Sequence, residues 1–480
     1  MTNLAHRSTP IAGSKDDGER FISIYAGKLF DSHSQQLLPC RVVSISRDSG
    51  LVADVQEWGP EDVRGLDFAN DASLVDLREA TVLPGFVDTH VHMFLHPYAE
   101  VSWENQLTQE SLVERTVRAT VHAKRTLMAG YTTVRDLGTE GAEDADVQLR
   151  KCMSGPNALI PGPRYFCANR AIICSGYYGP KSQLHYHQDG VDCVTGAEFV
   201  DGEVECVKAV RKQIGAGADW VKVTSLSTHT LPDYRPRTRM ADVSTATPAK
   251  AVRTFSPPEL AALITTARGL GVRVAAHVQT WRLDLLPENG GVDTLEHGAD
   301  LPADLLPAVA ASRVIWVPTL SVFYTIDTAR APGGLWDRAA KNFQAALKAG
   351  VTRIACGGDT GPFPHGENAL EMKLMVRLGA PWRSVLRWAT LGGWEAVRSV
   401  EWEGALGEAR IARLGEMRED ARVVGDNEVP FGALRRGFAA DIVATVGDLE
   451  TNFARAVDKD NIVFVMKGGK IVKMNGSPLV

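Results

Sequence analysis

Between residues 81 and 391 short β-branched runs alternate with longer stretches of helical periodicity, and no other feature restricts the possible folds as much. The strand-like runs fall at residues 82–87, 132–136, 164–167, 220–224, 273–277, 292–296, 314–318 and 353–356, which makes eight. Helical patterns separate them at 110–128, 204–214, 257–270, 303–311 and 335–349. Ser256-Pro257-Pro258-Glu259 supplies an N-cap, a proline at the first helical position and an acidic first turn, and Gly271 and Gly350 are placed as helix stops. Eight such units predict an α/β fold closed as a (β/α)8 TIM barrel. An open doubly wound sheet is the competitor, but no glycine-rich dinucleotide fingerprint follows the first strand.

The flanks have a different period. Residues 22–77 carry short two-residue alternations, and 441–444 and 462–472 read as strands, the latter a hairpin around Gly468-Gly469. The expected organisation is a composite β-sandwich domain from residues 21–80 plus 429–480, a barrel at 81–400 and a charged, solvated helical insertion at 401–428. Residues 1–20 are polar and lack an apolar signal-peptide core, so they read as a flexible tail. No run approaches the roughly 18 apolar residues that span a bilayer, and a cytoplasmic protein without a membrane partner is expected. A net charge of -6 without a Lys/Arg stretch argues against nucleic acid as a partner. The seven cysteines lack a Cys-x-x-Cys spacing and read as small buried apolar residues.

In a parallel barrel, chemistry belongs at the C-terminal ends of the strands. There the first strand runs into His90-Val91-His92, whose two imidazoles project to one side because residues two apart in a strand share a face. The fifth strand ends in His277, the sixth in Glu296-His297, and the eighth runs through Gly357-Gly358 into Asp359. Any one of these alone suits a strand-end polar group; together they suit a metal site. Lys222 lies among apolar residues of the fourth strand, where an unpaired ammonium is costly to bury. Burial would supply neutral amine, which can take up carbon dioxide as a carbamate able to bridge two metals.

With these residues the chain resembles the amidohydrolase superfamily, in the binuclear-metal branch with imidazolonepropionase-like, Xaa-Pro dipeptidase-like and fungal ochratoxinase-type members. The resemblance runs from about residue 22 to 472. It is carried by 83–92, Gly130-Tyr131-Thr132-Thr133-Val134-Arg135-Asp136, 217–222, Ala276-His277, Leu295-Glu296-His297-Gly298 and Gly357-Gly358-Asp359-Thr360. It implies two divalent ions, zinc by expectation, held by His90, His92, carbamylated Lys222, His277, His297 and Asp359. It further implies hydrolysis of an amide-type bond by a hydroxide shared between the metals, with Asp359 moving the proton, and assembly as a homo-oligomer. The expected substrate is a small amide, an N-acyl amino acid or a dipeptide-like compound. Lactone or ester hydrolysis or decarboxylation on the same centre is the enzymatic alternative, and a non-catalytic binding homologue the third.

Two departures bear on substrate. Where relatives carry a carbonyl-polarising histidine after the third strand, this chain has Tyr177-Tyr178, and Tyr178 is suited either to donate to a developing oxyanion or to pack as an aromatic. After the fifth strand Gln279 stands where a second histidine is common. The long loops at 168–204 and 225–255 hold His185, Tyr186, His187, His229, Tyr234, Arg235, Arg237 and Arg239, and an arginine there could clamp a substrate carboxylate. His365, in the loop after the eighth strand, is a further candidate.

Overall fold

The computed structural model of the chain describes residues 21–155, 157–175, 196–227, 252–280, 282–416 and 429–480. Strands from both ends of the chain hydrogen-bond in one eight-stranded sheet, in the order Ser477–Pro478, Lys470–Met474, Ile462–Lys467, Ile442–Thr445, Leu74–Pro84, Phe21–Asp31, Gln36–Ser46 and Val52–Glu57. The two-residue alternation read from these flanks is the burial alternation observed: Ile22, Ile24 and Ala26 face an apolar cluster with Val43, Ile45, Val75, Val82, Ile442 and Phe464. Gly27 sits at a break in register between Phe21–Asp31 and Leu74–Pro84, where a Cβ would lie 1.9 Å from the carbonyl oxygen of Arg78. Backbone cannot yield as a side-chain tip can. Gly27→Ala is therefore expected to cost about 3 kcal/mol, read as a lowered urea midpoint.

The repeating region is α/β with parallel sheets. One arc pairs Phe86–Val91, Tyr131–Asp136 and Arg164–Cys167. A second arc runs Ile315–Val317, Thr294–Asp300, Arg273–Thr280, Trp220–Ser227, Ile172–Ile173 and Glu198–Phe199. The strand expected at 353–356 forms a single parallel bridge, Trp316 with Ile354, and beyond it Thr360 bridges Val91, so the ladder is not continuous and a closed barrel is not what the pairing displays. Hydrogen bonds nevertheless cross both gaps: Thr89 N–H donates to Cys356 O at 2.9 Å, and Asp219 N–H to Cys167 O at 2.8 Å.

The single strand expected at 82–87 is two. Leu74–Pro84 stays in the antiparallel sheet while Phe86–Val91 opens the first arc, because Gly85 N–H turns to Asp441 O at 2.8 Å where the chain passes between them. The helix expected at 110–128 is found as Leu112–Met128, with Ser111 capping it through Glu114 N–H at 3.2 Å, and a further short helix, Trp103–Thr108, precedes it. Helix Pro257–Gly269 begins as anticipated, with Glu259 accepting from both Ser256 N–H and Ser256 Oγ. The charged stretch after residue 400 forms Gly404–Glu416, anchored rather than wholly solvated: Leu414 and Trp402 are buried with Trp394 and Phe438. Residues 417–428 lie outside the described residues. Among those described, Cys40, Cys152, Cys167, Cys206 and Cys356 are free thiols, and no helix is long and apolar enough to cross a membrane.

Candidate metal centre

Side chains of the two arcs meet, His90 and Arg135 of the first bonding to Glu296 of the second, and the strand ends carry further polar groups there. His90 Nδ1 donates to Glu296 Oε2 at 2.9 Å and His92 Nδ1 to the carbonyl of Gly138 at 2.8 Å, which turns both Nε2 atoms inward. His92 Nε2 lies 3.3 Å from Asp359 Oδ1, and His90 Nε2 lies 3.8 Å from the same oxygen and 3.5 Å from Lys222 Nζ. His297 contacts Thr319 Oγ1 at 2.8 Å and Asp359 Oδ2 at 3.9 Å through Nδ1, and the His277 ring lies 4.3 Å from its centroid. One atom each of His90, His297 and Asp359 falls within 4.8 Å of the others.

Local sequence explains how Asp359 arrives there. Gly357 lies against the first strand so tightly that a Cβ would meet Val317 at 2.5 Å and His90 Cβ at 2.9 Å. Asp359 N–H then donates to His90 O at 2.8 Å. Buried Asp88 clamps the same turn, accepting from Gly358 N–H at 3.1 Å, His90 N–H at 3.1 Å and Asn368 Nδ2 at 2.7 Å. Its burial outweighs those donors and pushes its pKa up to about 7.

Three non-glycine residues of this centre hold left-handed backbone: His297 at φ 70°, Asp359 at φ 60° and Thr319 at φ 48°. Each such residue costs about 1–3 kcal/mol and persists only where its surroundings over-determine it. Trp316 Nε1 donates to His297 O at 2.8 Å, and Asn342 Nδ2 to Gly298 O at 2.6 Å. Backbone strain is therefore held where these side chains converge.

Electrostatics separates the groups. Burial drives Lys222 below the ordinary lysine range, although Glu296 and Asp359 oppose it, and burial with Lys222 alongside drives His90 well below its usual value. Asp359 is pushed up by burial but more strongly down by His90, His92 and Lys222, so it stays ionised. His92 goes the other way: burial opposes its charge, yet its contact with Asp359 raises it to about 9.

All six residues singled out from the sequence as ligands thus stand in one set of contacts. Tyr178, Arg235, Arg237 and Arg239, with His185, Tyr186, His187, His229 and Tyr234, lie outside the described residues. Gln279 is buried and its amide nitrogen donates to Asp300 Oδ2 at 2.8 Å. His365 is buried behind the centre, contacting Leu95 O at 2.9 Å and stacked on His122 at 4.3 Å.

Sequence reasoning assigned no role to Arg135 and Glu296. Both are fully buried, Arg135 donates to Glu296 Oε1 at 2.8 Å and to Thr89 O at 2.7 Å, and Thr294 Oγ1 donates to the same carboxylate oxygen at 2.5 Å. The available signal was an arginine and a glutamate inside otherwise apolar strands, since such charges are seldom buried unpaired. Glu140 and Trp103 also went unmarked; the Trp103 indole donates to Glu140 Oε2 at 3.1 Å beside His92.

Comparison with known proteins bears on this arrangement. The sequence profile of the Amidohydrolase family matches residues 81–400. Ochratoxinase of Aspergillus niger is 24% identical over 499 residues, covering 99% of this chain and 91% of that protein. Its crystal structure superposes with a TM-score of 0.70 at 22% identity, covering 95% of this chain and 96% of the other. A Xaa-Pro dipeptidase crystallised with methionine in its active site gives 0.67 at 24% identity, covering 94% of this chain and 100% of the other. At such identities these two structures are likenesses of fold.

Proposed function

The chain belongs to the amidohydrolase family and is a hydrolase acting on carbon–nitrogen bonds, and from that premise we propose a metal-dependent enzyme that cleaves the amide-type bond of a small molecule. The observation that supports this most is the convergence of buried His90 and His297 with partly buried Asp359 within 4.8 Å. Two imidazoles and a carboxylate are a donor set that suits a divalent transition ion, zinc first among them. His90, His92, Lys222 as its carbamate, His277, His297 and Asp359 would be the residues that hold two such ions. When bound, such ions supply Lewis acidity to the scissile carbonyl and acidify the attacking water.

The chain's own groups do the rest. Asp359, kept ionised by its neighbours, takes the proton of the attacking water and delivers it to the leaving nitrogen. Glu296 fixes the His90 ring so that Nε2 faces the centre. Tyr178 serves in this reading as donor to the developing oxyanion. The substrate class is a small amide, an N-acyl amino acid or a dipeptide-like compound, in keeping with the named activities of ochratoxinase and the Xaa-Pro dipeptidase. The two parallel arcs are read as one (β/α)8 barrel, and the sheet of both chain ends as a composite β-sandwich domain with its own apolar cluster.

Asp359→Asn tests the assignment. It should keep its metal by elemental analysis while turnover on a panel of N-acyl amino acids and dipeptides falls about a thousandfold, within the range for a lost proton-transfer group. Unchanged turnover would remove Asp359 as proton carrier. Chelation of the wild type should abolish activity and added zinc restore it; an enzyme indifferent to chelation and free of metal would overturn metal dependence.

A further inference from the structure

Strand Arg273–Thr280 carries, two residues beyond His277 and on the same face, a second polar side chain, Gln279, which is 3% exposed. Its partner reaches it through an irregularity in the next strand. Thr294–Asp300 pairs His297 with Val278 and Asp300 with Thr280, three steps against two, so that strand holds one extra residue. His297 and Gly298 take it up in left-handed backbone, φ 70° and 69°, and Asn342 Nδ2 fixes the turn at Gly298 O. In a regular strand, residues three apart face opposite ways; the extra residue brings Asp300 round to meet Gln279.

The result is an amide held in one orientation. Gln279 Nε2 donates to Asp300 Oδ2 at 2.8 Å, Arg338 Nη1 lies 3.4 Å from the same oxygen, and Thr280 Oγ1 donates to Asp300 O at 2.7 Å. A carboxylate paired with a guanidinium accepts and does not donate, so it takes the NH2 end of the amide and turns Oε1 away from itself. Among the described residues nothing donates to Oε1, and that atom is not sealed from open space. The strand end therefore presents one neutral acceptor, about 7 Å along the strand from His277 and so beside a bond held at the centre. A scissile amide can meet that acceptor with an N–H only when it is secondary. The bond before a proline is a tertiary amide and has none.

We propose, on the amide-hydrolase reading above, that Gln279 is a specificity-determining residue whose Oε1 accepts the N–H of the substrate's amide, with Asp300 as the residue that positions it. The enzyme is thereby directed to secondary amides, such as N-acyl amino acids, and away from prolyl-type tertiary amides. A tertiary amide in the site covers Oε1 with carbon and no donor, and an unmet buried acceptor of this kind lowers kcat/KM about tenfold to a hundredfold.

The full-length, metal-loaded enzyme tests this with matched pairs, an N-acyl glycine against the N-acyl sarcosine that differs only by a methyl on nitrogen. Wild type should favour the N–H compound about tenfold or more in kcat/KM. Gln279→Met, of similar length but without the amide, should bring that ratio near one, chiefly by loss on the N–H compound, at unchanged metal content. Asp300→Asn, which frees the amide to turn, should lower the ratio as well, whereas a purely structural role for Asp300 would slow both compounds alike. A wild-type ratio near one, or a ratio that survives Gln279→Met because the methyl is excluded by size alone, would overturn the proposal and leave the hydrolase reading intact. If neither compound is turned over, calorimetric titration of the same pair reads the preference from binding. A kept preference would then sink the hydrolase reading alone, and equal binding or none would sink both.

Discussion

Lys222→Met is expected to lose turnover by about a thousandfold or more, roughly 4 kcal/mol of transition-state stabilisation, without loss of fold. Lys222 is only 4% exposed, and its amine lies 3.5 Å from His90 Nε2. Methionine keeps the length and apolar stem but removes an amine whose burial already works against its charge. Thermal stability should therefore hold or rise while the number of metals retained falls. Because the wild-type amine is held toward its neutral form, the intact protein should carry the added mass of one carbon dioxide when measured in bicarbonate under native conditions, and Lys222→Met should not. A variant as active as the wild type would remove Lys222 from the centre, leaving an enzyme that needs no carbamate bridge.

Breaking the Arg135–Glu296 pair should have the largest effect on stability. Both side chains are fully buried, so Arg135→Met leaves a carboxylate without its strongest partner, at a cost of about 3–5 kcal/mol. Glu296→Gln should cost less in folding but also weaken metal binding about 10–100-fold, because His90 loses the carboxylate that orients it. In Arg135→Met/Glu296→Gln the two losses should sum to less than their separate values, since neither charge is then left alone. Additive losses in chemical denaturation would show that the two side chains act independently. The guanidinium also lies 4.4 Å from the Trp220 ring centroid, so part of the Arg135→Met loss is packing and should persist in the double variant.

Particular residues explain which features were legible in the sequence. Strand ends with apolar stems and a terminal histidine or aspartate could be read because the two-residue period assigns each side chain a face, and His90, His297 and Asp359 do bring one donor atom each within 4.8 Å of the others. The boundary at Gly85 could not, because residues 82–87 form one unbroken apolar run while the turn between sheets is set by Asp441, distant in sequence. The eighth strand failed for a related reason. Residues 353–356 have a strand's composition, but the Gly357–Asp359 turn is pulled onto the first strand by Asp88 and His90, leaving isolated bridges in place of a ladder.

Sequence alone conveyed the alternation of strands and helices along most of residues 81–391, the β-rich character of both ends and the imidazoles and aspartate that a metal-binding donor set needs, His90, His297 and Asp359, since each is a consequence of local period and residue chemistry. Tertiary structure decided the rest. The bonds from Glu296 to Arg135 and to His90 join residues 161 and 206 positions apart, and no local pattern encodes such distances. The left-handed backbone at His297, Thr319 and Asp359 was settled there too. Those conformations are unfavourable for the residues themselves and exist only because packed neighbours from remote segments hold them.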